Sequence, residues 1–179
     1  MNILLCAIVF FGSLAGCFAA PDYAKCISNL AKGTPKETLE SSLQTLRDAG
    51  AAAFPALILQ LTNQADADPN YFQEQKMDRS PDGSFHPHAP TIGEVCFGIV
   101  QTQVEGHWPK SFRQYYVLSP RKAKSWVEAH QGLTLPQLRR AARQESLRRA
   151  EADRAAKPAE QSLKQVVAFL REEIENGKK

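Results

Sequence analysis

Gly33 to Asn63 reads GTPKETLESSLQTLRDAGAAAFPALILQLTN, and its pattern decides the fold class. Thr34 can cap a helix, Pro35 suits a first helical position, and Glu37 stands where a capping box needs its acid. Leu39, Leu43 and Leu46 follow at spacings of four and three, which puts them on one helical face. Gly50 stops that helix, because glycine readily takes the backbone conformation that closes a helix end. A second run begins almost at once. Pro55 is tolerated only near a helix start, and Phe54, Leu57, Ile58 and Leu61 form a second apolar stripe. Two helices joined this tightly predict an αα-hairpin.

Outward from this pair, Asn63 to Pro90 changes character. The stretch carries several prolines and turn residues and has little periodicity, so a long polar loop is expected over 63–90. Its aspartates, among them Asp66, Asp68, Asp78 and Asp82, lack the spacing of a calcium loop and read as turn chemistry. Thr91 restarts the helical signal with Glu94 three residues on. Val95, Cys96, Ile99, Val100 and Val104 then make a broad apolar face that Gly106 closes. SFRQYYVLS, 111–119, is rich in β-prone residues and reads as extended. A helix with Ser119 as cap should carry Ala123, Trp126, Val127 and His130 inward. Thr134 should cap a longer one reaching about Ala156. The last should present Leu163, Val166, Val167, Leu170 and Ile174. The expected fold is all-α: helical hairpin units extended by C-terminal helices, with one long polar loop.

The N-terminus bounds the compartment. MNILLCAIVFFGSLAGCFAA is apolar from Ile3 to Phe11 and then turns to small residues. It is too short for a mature bilayer span and has the form of a secretory signal, so 1–19 is expected to be removed and 20–179 to form one helical domain. LAGC, 14–17, resembles the lipobox of bacterial lipoproteins. On that reading cleavage falls before Cys17, and a lipid on Cys17 would be the one link to a membrane. The protein is therefore expected to be periplasmic or secreted, or anchored as a lipoprotein.

Export changes the arithmetic of the cysteines. Cys26 and Cys96 remain after processing, as a pair in an oxidising compartment. Bonded, they would close a loop of about 70 residues, for which chain entropy gives roughly 4 kcal/mol. Unbonded, Cys96 is a small hydrophobe within an apolar face.

LRDAGAAAFPALILQL, 46–61, resembles the turn and second helix of a HEAT-type repeat. IGEVCFGIVQTQVEG, 92–106, is similar to a helix found in HEAT-like domains of exported bacterial proteins of unknown function. The resemblance implies an α-helical binding scaffold and brings no catalytic residues.

Candidates for chemistry are few. A nucleophilic Cys96 would need a base and an orienting group, and its apolar neighbours favour an inert thiol. His86 and His88 flank a proline and, with His107, are weak metal candidates that lack a defined third ligand and supporting shell. No cofactor is expected. Trp108, Tyr115 and Tyr116 are the aromatic group best suited to a partner surface if exposed, since aromatics dominate binding hot spots. The net charge is +3, with the basic excess after Arg139. Acidic residues are interspersed there, so LRRAARQESLRRAEADRAA reads as a solvated helix rather than a nucleic-acid patch. The expectation is an exported, non-enzymatic interaction module whose partner is another envelope protein. Two alternatives are an envelope inhibitor or immunity-type protein acting on a toxin or hydrolase, and a periplasmic metal-binding protein.

Overall fold

A computed structural model describes residues 21–69, 76–79, 85–88 and 90–177. The signal segment, the lipobox Cys17 and the side chains of His86 and His88 lie outside the described residues. The chain is mostly helical, as the apolar periodicity predicts. In order it runs α1 (Tyr23–Ser28), α2 (Lys36–Asp48), a 3-10 turn (Gly50–Ala53), α3 (Phe54–Leu59), β1 (Lys76–Arg79), β2 (Phe85–His88), α4 (Ile92–Glu105), a 3-10 helix (Lys110–Tyr115), α5 (Ala123–Ala129), α6 (Leu135–Ala156) and α7 (Gln161–Asn176).

Local chemistry explains several of the element ends, although the Ser119 side chain, expected to cap α5, does not do so, Lys122 standing at that cap. Asp22 caps α1, its Oδ1 accepting the Lys25 N–H at 3.0 Å. Thr91 and Glu94 form the expected capping box on α4: the Glu94 N–H donates to Thr91 Oγ1 at 3.2 Å, and the Thr91 N–H to Glu94 Oε2 at 3.0 Å. Gly106 ends α4 with φ of 75°, a conformation costly for any side-chain-bearing residue. At Thr134 the backbone N–H donates to Gln137 Oε1 at 2.8 Å, tying down the start of α6. The start of α2 differs from expectation. Pro35 occupies the cap and no side chain caps the helix, so the box drawn for Thr34 and Glu37 is not formed.

Two further segments depart from the sequence reading. The stretch 63–90 contains a two-stranded antiparallel hairpin, with Lys76 opposite His88 and Arg79 opposite Phe85. Its flanks are also fastened: Ala31 bridges to Ala67, Asp66 to Thr91, and the Ala67 N–H reaches the Pro90 carbonyl at 2.9 Å. SFRQYYVLS is not extended throughout, because 110–115 coils into a 3-10 helix before the chain straightens at Tyr116. Packing against the C-terminal helices overrides the β-propensity of its aromatic residues.

Two clusters make the interior. The first gathers Leu46, Phe54, Leu57, Val95, Cys96, Ile99, Val100 and Trp126 from α2 to α5, with Leu138 and Ala142 from the first half of α6. Leu43 and Ile58 also belong to it, while Leu61 packs half-buried at its edge. The second cluster holds Trp108, Tyr115, Ala150, Leu163, Val166, Val167 and Leu170, joining the 3-10 helix to the far half of α6 and to α7. α6 is thus a spine shared by both. Its buried Ser146 stands between them and donates to the Tyr115 carbonyl at 2.8 Å. Complete burial of a leucine such as Leu57 contributes about 1.5–3 kcal/mol, so these faces carry the fold. Among the described residues no helix is long and apolar enough to cross a membrane.

Candidate functional site

The residues singled out on chemical grounds do not converge. Cys26 and Cys96 are free thiols, so the disulfide weighed between them is not formed here. Cys96 is completely buried, and burial pushes its thiol from 9.0 up to about 12, which removes the thiolate a nucleophile needs. His107 is exposed, and among the described residues no group of three or more His, Cys, Asp or Glu could hold a metal.

The aromatic trio is interior rather than a partner surface. Trp108 and Tyr115 are buried and Tyr116 is half-buried. Trp108 packs on Tyr116 with centroids 4.8 Å apart and edge-on to Phe169 at 5.8 Å. The Tyr115 hydroxyl donates to Asp153 Oδ2 at 2.9 Å; burial and that partner raise its pKa to about 12. α7 supplies the apolar cover that turns these rings inward, a tertiary effect that local spacing does not encode.

Several arginines of α6 are likewise engaged within the molecule. Arg139 Nε donates to the Gln103 carbonyl at 2.7 Å, Arg149 Nη1 to the Tyr116 carbonyl at 3.0 Å, and Arg143 pairs with Glu173 at 2.9 Å.

Among the described residues, a groove of about 300 Å³ lies between α3, α5 and the start of α6. Its apolar wall comes from Phe54, Ile58 and Leu59 on one side and from Val127, Leu133 and Leu138 on the other. The α3 periodicity sets this up. Phe54, Leu57 and Ile58 turn inward, and the opposite face leaves Pro55 and Leu59, four residues apart, exposed. Leu59 is 68% exposed, the large hydrophobic side chain left most open among the described residues. Glu128 supplies the carboxylate of the rim; it stands 4.0 Å from Lys124, an exposed pair of small energetic weight. His130 closes one end. Its ring stacks on Trp126 at 4.1 Å, and its Nδ1 lies 2.8 Å from the Trp126 carbonyl, which can only accept. Nδ1 therefore carries the hydrogen, leaving Nε2 as the acceptor in the neutral ring. Trp126 is itself held by its Nε1–H, donated to Glu145 Oε2 at 3.1 Å. The wall opposite Leu59 is thus fixed by stacking and hydrogen bonds.

A second polar feature was not visible in the sequence. Glu105, the last residue of α4, is fully buried. Its Oε1 accepts the backbone N–H of Val117 and, at 3.0 Å, that of Leu118. Its Oε2 is likewise enclosed away from solvent. Burial raises the carboxyl from 4.5 to about 7, while the two N–H bonds, the Gln101 amide and the Arg149 guanidinium oppose the rise. A glutamate ending an amphipathic helix ordinarily reads as solvated, and only the return of 116–118 over it hides it.

No protein-family model, curated protein or solved structure matches the chain.

Proposed function

We propose that the protein is an exported, non-enzymatic helical interaction module, and that the groove between α3 and α5 receives a partner of the cell envelope. The occupant is a segment that presents a large aliphatic side chain with a Lys or Arg beside it. The aliphatic group fills the space beside Leu59 and Ile58, and the basic group meets Glu128 on the rim. The observation that carries this reading is Leu59: 68% exposed at the lip of an apolar groove, where covering it would contribute about 1.5–3 kcal/mol. The buried thiol, the enclosed aromatic cluster and the engaged arginines leave this groove as the place best suited to recognition.

The test is a matched capture from the protein's own envelope fraction with wild type and Leu59→Asp. The variant places a charge on the lip without touching the core, so its circular dichroism should equal that of wild type. A partner retained by wild type and by Leu59→Met but lost with Leu59→Asp supports the groove. An identical set of retained proteins for all three contradicts it.

A further inference from the structure

The end of α4 has the construction of a latch. Gly106 turns the chain out of the helix, the 3-10 helix 110–115 brings it back, and Val117 and Leu118 aim their N–H groups at Glu105 Oε1. The returning segment is held from other sides too. Arg149 of α6 donates to the Tyr116 carbonyl, Ser146 of α6 to the Tyr115 carbonyl, and the Tyr116 hydroxyl to the Gly106 carbonyl at 3.1 Å. Leu118 leads directly into Ser119, whose carbonyl accepts the Lys122 and Ala123 N–H groups that begin α5. Whatever loosens Val117 and Leu118 therefore acts where α5 is anchored.

We propose that Glu105 is a proton-operated latch on this segment. Neutral, it stays inside and holds Val117 and Leu118 against the end of α4. Ionised, it carries a charge shut away from water, and it draws water in, freeing the segment that sets α5. The charge that faces it is Arg149 of α6; α4 itself contributes the neutral Gln101 amide, and the 116–118 segment contributes backbone N–H groups. Burial outweighs these and places the transition near neutrality. The proton is bound more tightly in the closed state than in the open one, so closure is strongest in acid and weakens as pH rises toward and through 7. The inference is independent of the groove: the latch can operate whether or not the groove takes a partner.

The experiment is native-state amide hydrogen exchange on the whole mature protein at pH 5 and pH 8, corrected for the intrinsic exchange rate. Protection at Val117 and Leu118 should be about 10- to 100-fold lower at pH 8 in wild type and should not change with pH in Glu105→Gln. Exchange at these two amides should also respond weakly to low denaturant, as local opening does. Equal protection at both pH values, an equal fall in the variant, or a denaturant response matching global unfolding would each overturn the latch. Should the variant not fold, a carboxyl-carbon NMR titration of wild type decides: a midpoint near 7 supports the latch, and one below 5 overturns it.

Discussion

Gly93 stands so close to Leu61 that a β-carbon on it would lie 2.6 Å from the Leu61 carbonyl oxygen. The approach follows from how 63–65 seats itself on the start of α4. The Gly93 N–H donates to the Asn63 carbonyl at 3.0 Å and the Ile92 N–H to the Ala65 carbonyl at 2.8 Å. The obstructing atoms are backbone, so they cannot swing aside. Gly93→Ala should therefore destabilise the protein by about 1–3 kcal/mol, the ordinary cost of forced overpacking. Denaturant unfolding measures it, and an unchanged midpoint would mean that this close packing is absent in solution.

Leu57 is fully buried within the first cluster. Leu57→Ala should cost about 2–5 kcal/mol, through lost transfer energy and the cavity left behind. Equilibrium unfolding reads it directly, and a loss under about half a kcal/mol would contradict the packing of α3.

Leu57 shows what the sequence could carry. Phe54, Leu57 and Ile58 and the box Thr91–Glu94 depend on spacings of three and four residues within one helix, so they were legible and stand as expected, whereas Leu61, drawn into the same stripe, falls past the end of α3 and is only half-buried. Trp108, Tyr115 and Tyr116 have no such local signature of burial. Whether they face water depends on α7, whose first residue lies far along the chain, and the exposed surface drawn from them is not there. Glu105 is the same problem inverted: a residue type that favours solvent is enclosed by a segment returning 12 residues later. The groove was illegible for a related reason. Leu59 was the unremarkable member of an apolar run until α3 assigned its neighbours to the core and left it on the lip.

Glu105 also predicts how stability depends on pH. Its folded pKa of about 7 lies above its ordinary 4.5, so the folded state holds a proton that the unfolded state releases. That contribution is complete below about pH 4.5 and is lost as pH rises through 7; at 1.36 kcal/mol for each pKa unit it amounts to about 3 kcal/mol. Unfolding free energies measured for wild type and Glu105→Gln across pH 5 to 8 should diverge in that direction, with the variant the flatter of the two. Parallel curves would remove Glu105 as the cause.

Cys96 should be inert toward alkylation in the native protein, because burial both hides it and holds it protonated. Iodoacetamide at neutral pH should label Cys26, which is half-buried, ahead of Cys96. After denaturation both should react without prior reduction, as free thiols do. Rapid native labelling of Cys96 would contradict its placement, and a need for reductant would contradict the free state of the pair.

Docking in the groove is measured most directly by photocrosslinking in the native envelope with p-benzoylphenylalanine at position 59. The control carries the same group at position 144, an exposed residue of α6. A discrete crosslinked species from position 59, missing from position 144 and suppressed when Glu128 is changed to Lys, is the predicted result. Equal crosslinking from both positions, or none from position 59, would contradict a docking role for the groove between α3 and α5.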